Sequence, residues 1–518
     1  MATPSEKLAE SLEILHALQN ENGAAAIRPN DLTRTHRERL LKNDFLLEVM
    51  KGWYIPTKPN EKPGNSTSWY ASFWKFCAVY LEERFGKEWS LSPEQSLLIH
   101  SANWTVPQQL LVRSPKAGNK DNPLPHRTSL FDMRAALPER ADSELKEGMR
   151  IFSLPAALIA TSPGIFTSNP TDVRTCLLTI RDASDILSKL LDGGHSVVAG
   201  RLAGAFRNIG RDRIADDIVK TMQSAGYHIR ESDPFSTQVI IGGTGRETSP
   251  SVNRITLMWH TWREIIIEHF PKAPGLPKDK AGFLEKVKDV YTTDAYHSLS
   301  IEGYKVSREL IEKVRAGNWK PDSDSGDKEL KNGLAARGYY EAYQAVLKSL
   351  DKILSGQNAG KVADSDHGEW YRALFTPGVT AGILKASDLA GYRNGPVYIT
   401  NSMHTPLNHE AVRDAIPALF ELLANEENAA VRVVLGHFIF VYIHPYMDGN
   451  GRTGRFLMNA MLVSGGYPWT VIPVEERKEY MAALEQASVH QNIVPFTNFL
   501  ATLVHKGIEG KPLPEIPE

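Results

Sequence analysis

Cysteine is scarce in this sequence: Cys77 and Cys176 are the two in 518 residues. Two cysteines exclude a disulfide framework and a cysteine-built zinc site, and they fit a reducing compartment. Long apolar runs are missing as well. No window approaches the roughly 18 apolar residues of a membrane span, and the start "MATPSEKLAESLEILHALQ" carries acids where a secretory leader needs a basic and then an apolar stretch. The expectation is a cytoplasmic protein with no membrane partner. Charge of one sign is also absent: 59 Lys and Arg face 61 Asp and Glu, a formal net charge of -2, so any polyanion contact must be local. The glycine-rich stretch "IGGTGRETSPSVN" lacks the Lys-Ser/Thr ending of a P-loop and is followed by no clear dinucleotide-binding helix. It reads as part of a linker over 236–253.

Length and patterning point to several domains, since one domain usually takes about 100 to 200 residues. Leu8, Leu12, Leu15 and Leu18 recur at helical spacing over 4–20, a turn with Pro29 follows, and a basic helical segment runs from about Thr33 to Leu41. Two short strands, Leu46 to Met50 and Trp53 to Pro56, then flank a tight turn at Lys51-Gly52. Helix, turn, helix and β-ribbon predict a winged helix-turn-helix over 1–56, whose second helix would present Arg34, Arg37, Arg39 and Lys42 to a major groove of double-stranded DNA. Charge does not decide between DNA and a small adaptor, because residues 28–51 hold six Lys/Arg against four acids. The order of these pieces, closed by "GWYIPT", resembles the winged-helix domain of AbiEi-type antitoxins and related transcriptional regulators. "TKPNEKPGNSTS", 57–68, reads as a linker or long loop. From 69 to 235, strand-like "QQLLVRS" and "RTSLFDM" precede helical "TDVRTCLLTIRDASDILSKLLDGG" and "RDRIADDIVKTMQSAG", which predicts an α+β companion domain with no chemistry of its own.

Beyond about 251 long helical patterns dominate, interrupted by "GYRNGPVYITNSMHTPLNH", whose strand-like Val397, Tyr398, Ile399 and Thr400 between turn signals predict a β-hairpin. The chemistry concentrates in "FVYIHPYMDGNGRTGRFLMNAML". Val431 to Ile443 is apolar on nearly every side, as in a helix buried all round, so its end is held rigidly. At that end come His444, Asp448, Gly449, Asn450, Gly451 and Arg452, with Arg455 one turn into the next helix. Glycines let backbone N–H groups turn inward as an anion nest, and the following helix adds the positive end of its dipole. Arg452 and Arg455 could grip further phosphates, and Asp448 is a hard oxygen ligand for a Mg2+ bridging them. His444, of near-neutral pKa, is placed to take a proton from an incoming hydroxyl. Each residue singly fits a plain helix–helix turn. No turn requires a base, an acid, an amide and two arginines in this order.

This loop resembles the signature of the Fic family, His-Pro-Phe-x-Asp/Glu-Gly-Asn-Gly-Arg-x-x-Arg, and departs from it only at the Phe position, Tyr446 here. The resemblance spans roughly residues 285 to 505, within a domain drawn at 254–510, and implies an all-helical Fic core. The hairpin then occupies the place of the family's target-docking flap. The implied reaction is transfer of AMP from ATP to a Ser, Thr or Tyr hydroxyl of another protein or of this one, with pyrophosphate leaving. By the same resemblance His444 is the general base and Asp448 holds Mg2+ on the α and β phosphates. Gly449, Asn450 and Gly451 form the anion hole, and Arg452 and Arg455 lie on the outer phosphates.

"SLSIEG" fits the family's inhibitory pattern Ser/Thr-x-x-x-Glu-Gly/Asn, in a helix near 286–303. Ser298 and Glu302, four apart, share a helix face, and Gly303 can end that helix. A carboxylate delivered to Arg455 would pair with it in bidentate fashion and repel the γ phosphate. The fold class expected is thus mixed and multidomain: a winged helix, an α+β middle domain and an all-α Fic fold with a hairpin flap. The function expected is autoinhibited protein AMP transfer with a DNA-binding regulatory head in a toxin–antitoxin-like module. Alternatives are a DNA-binding regulator using the Fic core as a nucleotide sensor, removal of AMP, or transfer of another nucleotide. Self-association stays open.

Overall fold

The structure, a computed structural model, describes residues 3–22, 26–59, 65–239, 249–320 and 327–517. Residues 60–64 of the predicted long loop and 240–248 of the predicted linker lie outside the described residues. The chain divides into two compact units, one of 1–250 with 398–405 and one of 251–397 with 406–518.

The first unit opens with helices α1 (Pro4–Asn22) and α2 (Arg34–Lys42), then strands β1 (Leu46–Met50) and β2 (Trp53–Pro56). Thr33 caps α2 by accepting a hydrogen bond from the His36 N–H. The two strands pair antiparallel with Leu47 opposite Ile55, and Ile27 adds a bridge to Tyr54. Leu15, Leu32, Leu40, Leu46 and Tyr54 close a small core under them. The order helix, helix, hairpin is the one the sequence predicts, with both strands at the predicted bounds.

The α+β part follows: α3 (Thr67–Phe85), β3 (Ser90–Leu91), α4 (Pro93–His100), β4 (Gln109–Ser114), β5 (Lys120–Pro123), β6 (Ser129–Arg134), β7 (Ser143–Lys146) and β8 (Met149–Phe152). Strands β3, β4, β6 and β5 lie in that order in one sheet, with β4 and β6 parallel. Trp69, Phe73, Phe76, Leu110, Val112 and Leu130 form its core. Six helices complete the unit among the described residues: α5 (Leu154–Ala160), α6 (Ile165–Ser168), α7 (Pro170–Thr179), α8 (Ser184–Asp192), α9 (Ser196–Asn208) and α10 (Asp212–Ser224). The helical run predicted across 171–194 is broken between α7 and α8. There Asp182 accepts from the Ser184 N–H at 3.0 Å, and Asp185 accepts from the Arg181 and Asp182 N–H groups, so short acidic side chains start a new helix.

The predicted β-hairpin at the flap is not formed. Residues 391–409 carry no strand. Pro396 has no N–H to give a ladder, and the bonds of the segment are single ones: Asn401 N–H to Thr67 Oγ1 at 3.2 Å, Ser66 N–H to Asn401 Oδ1 at 3.0 Å and Val106 N–H to Met403 O at 2.9 Å. Val397 falls in the second unit, whereas Tyr398, Ile399 and Thr400 group with the first.

The second unit has α-helices and no strand among its described residues: α11 (Pro250–His269), α12 (Lys280–Ile301), α13 (Arg308–Arg315), α14 (Asp327–Leu354), α15 (Ala359–Thr380), α16 (His409–Asn425), α17 (Ala429–Ile443), α18 (Asn450–Ser464), α19 (Arg477–His490) and α20 (Val494–Ile508). Asn428 caps α17 by accepting from the Ala430 and Val431 N–H groups, and every residue of α17 except Arg432 and Val441 is buried. Trp262 packs edge-on against Phe438 at 5.5 Å and Phe496 stacks on His437 at 5.6 Å, so neighbouring helices close around α17 as its all-round apolarity requires. Helix α15 is hidden in the sequence by Gly360, Gly368, Pro377 and Gly378. Gly360 serves packing: a Cβ there would stand 2.4 Å from the Ala424 backbone.

Candidate active site

The site is built where α17 ends and α18 begins. Pro445 disfavours a helical conformation for the residue before it, and His444 takes a left-handed one at φ 56°. Arg393, 3% exposed, braces that end. Its Nε donates to His444 O at 2.7 Å, its Nη2 to Ile443 O at 3.4 Å and to Leu407 O, its Nη1 to Gly395 O at 2.9 Å, and its own N–H to Pro445 O at 2.9 Å. These bonds satisfy carbonyls that the helix end leaves open. His444 Nδ1 lies 3.0 Å from Val441 O. A carbonyl only accepts, so Nδ1 carries the hydrogen and Nε2 keeps its lone pair. Burial, reinforced by the Arg393 cation, pushes His444 down to about 4 against the pull of Glu302 and Asp448, so the imidazole is neutral at physiological pH.

Tyr446 anchors the connecting loop, its ring stacked on Tyr371 at 3.7 Å with an interplanar angle of 3°. Asn450 fastens the same turn. Its Oδ1 accepts from Tyr446 N–H and its Nδ2 donates to Tyr446 O, both at 2.8 Å, so the amide side chain is a clasp and only its backbone N–H remains for an anion. Gly449, at φ 81°, precedes α18 without a side-chain cap, and a Cβ there would stand 2.8 Å from Phe375. The first N–H groups of α18 therefore open toward the loop, with the positive end of the helix dipole behind them. Asp448 lies at the rim with its side chain 65% exposed, 3.5 Å from Arg452.

Two buried arginines line this helix start. Arg455 donates from Nε to Ser298 Oγ at 2.8 Å and from Nη2 to Ser298 O at 3.0 Å and Glu302 Oε1 at 2.8 Å. The expected bidentate pair is thus a single bond, because Ser298 already occupies the Nε edge. Burial alone would raise Glu302, but Arg455 and then Arg452 outweigh it and hold the carboxyl below its ordinary range. A Cβ at Gly451 would stand 2.3 Å from Glu302 Oε1, so the carboxylate rests directly over the nest. Nη1 of Arg455 and Nε of Arg452 are buried with no hydrogen-bond partner among the described residues. Such donors suit an anion. Behind Arg455 the buried Asp294 accepts from Tyr339 Oη at 2.6 Å and is pushed up by burial to about 6.

His444, Asp448, Gly449, Asn450, Gly451, Arg452, Arg455, Ser298, Glu302 and Gly303 all belong to the second unit, and Glu302 reaches Arg455 by one bond. Arg393, Asp294, Tyr304 and Phe375 were missed. Their partners lie tens of residues away, and no local spacing announces them. In the head, Arg34 pairs with Glu38 at 2.7 Å, Arg37 donates to Pro29 O at 2.9 Å, and Arg39 donates to Lys7 O at 2.6 Å and Ser11 Oγ at 2.7 Å, while Lys42 is exposed. No group of three or more side chains able to hold a metal occurs among the described residues. Among the described residues no helix is long and apolar enough to cross a membrane.

Residues 369–462 match the Fic/DOC family. The chain is 25% identical over 249 residues to the protein adenylyltransferase Fic of Nematostella vectensis, covering 47% of this chain and 54% of that protein. It is 43% identical over 230 residues to the protein adenylyltransferase Fic of Drosophila mojavensis, covering 43% of this chain and 41% of that protein. The chain thus spans about half, or less, of the length of these curated relatives. Among solved structures, Fic-1 from C. elegans is similar with a TM-score of 0.37 and 17% identity, over 62% of this chain and 91% of that one.

Proposed function

We propose that this chain, which carries a Fic domain, transfers AMP from ATP to a hydroxyl side chain of a protein and is held in check by Glu302. One observation carries the reading: a neutral imidazole, an uncapped helix start and two buried arginines with unpaired N–H edges converge on one loop, and a carboxylate sits over it. Phosphoryl-type transfer is a matter of in-line placement and charge stabilisation, which these groups can supply. In the proposed step Nε2 of His444 takes the proton of the target hydroxyl. The hydroxyl oxygen bonds to the α phosphorus, the bond from that phosphorus to the bridging oxygen breaks, and pyrophosphate leaves. The backbone of Gly449, Asn450 and Gly451 would receive the α phosphate, and Arg452 and Arg455 the outer ones.

Asp448 fits a share in Mg2+. A cation that keeps its waters and shares phosphate oxygens needs only about one or two carboxylates, and Asp448 offers one at an exposed rim. When bound, the ion would neutralise phosphate charge. The head enters the proposal as a regulatory module in which Arg34 and Lys42 reach solvent, and a mobility shift on the gene's own promoter tests double-stranded DNA as its ligand.

Purified wild type, Glu302→Gly and His444→Ala, each given labelled ATP, GTP, UTP or CTP in host lysate, test the central reading. Label transfer by Glu302→Gly from ATP, and none by Glu302→Gly combined with His444→Ala, is expected. A Glu302→Gly protein that transfers no nucleotide would overturn it.

A further inference from the structure

The end of α12 carries more than Glu302. Gly303 N–H donates to Ser300 O at 3.0 Å and Tyr304 N–H to Leu299 O at 3.1 Å, with Gly303 at φ 88°. This pair of bonds is a Schellman closure, which glycine makes without a Cβ penalty. Arg477 Nε adds a bond to Ile301 O at 2.7 Å. Tyr304 is therefore fixed by the same turn that fixes Glu302, and neither backbone moves without the other.

The Tyr304 ring meets the second arginine of the site. The Arg452 guanidinium lies 5.3 Å from the Tyr304 ring centroid and 5.0 Å from that of Phe375. Lys331 Nζ lies 5.8 Å from the same Tyr304 ring. A Cβ at Gly449 would touch Phe375 at 2.8 Å and come within 3.7 Å of Arg452 Nη2, so Arg452 and Phe375 both stand against the nest. Arg452 is 1% exposed, Asp448 stands 3.5 Å from it on the rim, and the Glu302 carboxylate also feels its charge. A cation held over two rings, with the Tyr304 hydroxyl also within hydrogen-bond reach, is restrained from tilting, and its Nε, buried with no partner among the described residues, is left for a ligand.

We propose that Tyr304 is a positioning residue for nucleotide phosphate: with Phe375 it holds Arg452 against the nest, so the turn that carries the inhibitory glutamate is also part of the phosphate site. The inference rests on the AMP-transfer reading above. It has a consequence for the switch. Withdrawing the whole turn from the site would free Arg455 but unseat Arg452, so relief of inhibition is a swing of the Glu302 side chain with the turn left in place.

The test uses full-length Glu302→Gly protein as parent and calorimetric titration with ATP, ADP and AMP in Mg2+ buffer. Tyr304→Leu keeps apolar bulk and removes the ring face, and Tyr304→Phe keeps the face and removes the hydroxyl. Tyr304→Leu is expected to weaken ATP and ADP by roughly three- to thirtyfold, the range of a desolvated cation–ring contact, while AMP affinity holds. Tyr304→Phe is expected to restore most of the loss. Equal losses for AMP and ATP, a Phe variant no better than Leu, or no loss at all would each overturn the proposal while leaving AMP transfer standing. A parent that binds no nucleotide would instead remove the AMP-transfer reading, and this inference with it.

Discussion

Replacing Glu302 by Gly and, separately, by Gln distinguishes charge from bulk at the switch. The Glu302 carboxylate is 2.8 Å from Arg455 Nη2 and rests over Gly451, where a phosphate oxygen would lie. Two like unit charges about 4 Å apart repel by about 4 kcal/mol at an effective dielectric constant of about 20. The Glu302 side chain is 28% exposed, and solvent screening argues for about half that value. At about 2 kcal/mol, triphosphate affinity rises roughly thirtyfold on loss of the charge. If charge is the block, Glu302→Gln gains as much as Glu302→Gly; if bulk is the block, only the glycine variant gains. Loss of the carboxylate also leaves Arg455 to Ser298, the Tyr480 hydroxyl and the more distant Asp294. Breaking a buried pair costs about 3 to 5 kcal/mol, and partial exposure of this one brings the expected cost nearer about 2 kcal/mol. Both variants should therefore melt below wild type without nucleotide, and ATP should raise their Tm by more than it raises that of wild type. Scanning fluorimetry with and without MgATP reads the shift, and transfer of label from the α phosphate reads the activity. Variants that melt with wild type and label no faster would refute the reasoning.

The remaining predictions concern the loop and its supports. His437 and His444 are both held down to about 4 by burial. With folded values below the unfolded one near 6.5, the unfolded chain takes up protons first, so stability is full above about pH 6.5 and is lost as pH falls toward 4. Transfer by Glu302→Gly should accordingly hold from pH 8 to below 6 and fall only as His444 protonates; an acid limb centred near 6.5 would contradict a buried neutral base. Arg393→Met strands the carbonyls that cap α17, with an expected loss of roughly 3 to 5 kcal/mol by denaturant titration. Transfer should fall more than ATP affinity, because the change frees the His444 backbone and leaves both phosphate arginines untouched. Asn450→Ala removes both bonds to Tyr446 and should cost roughly 2 to 4 kcal/mol; a neutral result would mean that the Tyr371–Tyr446 stack holds the turn alone.

The sequence alone was enough for every feature that depends on near neighbours. The basic helical segment from about Thr33, the Lys51-Gly52 turn between two strands and the all-round apolarity of Val431 to Ile443 each fix local structure, and each appears within a residue of where it is predicted. The nearness of His444 to Arg455 is equally legible, because one loop and one helix start carry them. The link from Glu302 to Arg455 was legible only through a resemblance, since 153 residues separate the two partners.

Tertiary structure decided what joins distant segments. It made Asn450 a clasp, reduced the Glu302 contact to one bond beside Ser298, and set the rings of Tyr304 and Phe375 against Arg452. It also denied 391–409 a hairpin, for strand-like residues need a partner edge and here find isolated side-chain and backbone bonds instead. The physical reason is common to all of these: periodicity and capping report how a residue treats its neighbours within about a turn, whereas a buried arginine takes its role from whichever carbonyl, carboxylate or ring the folded chain brings to it.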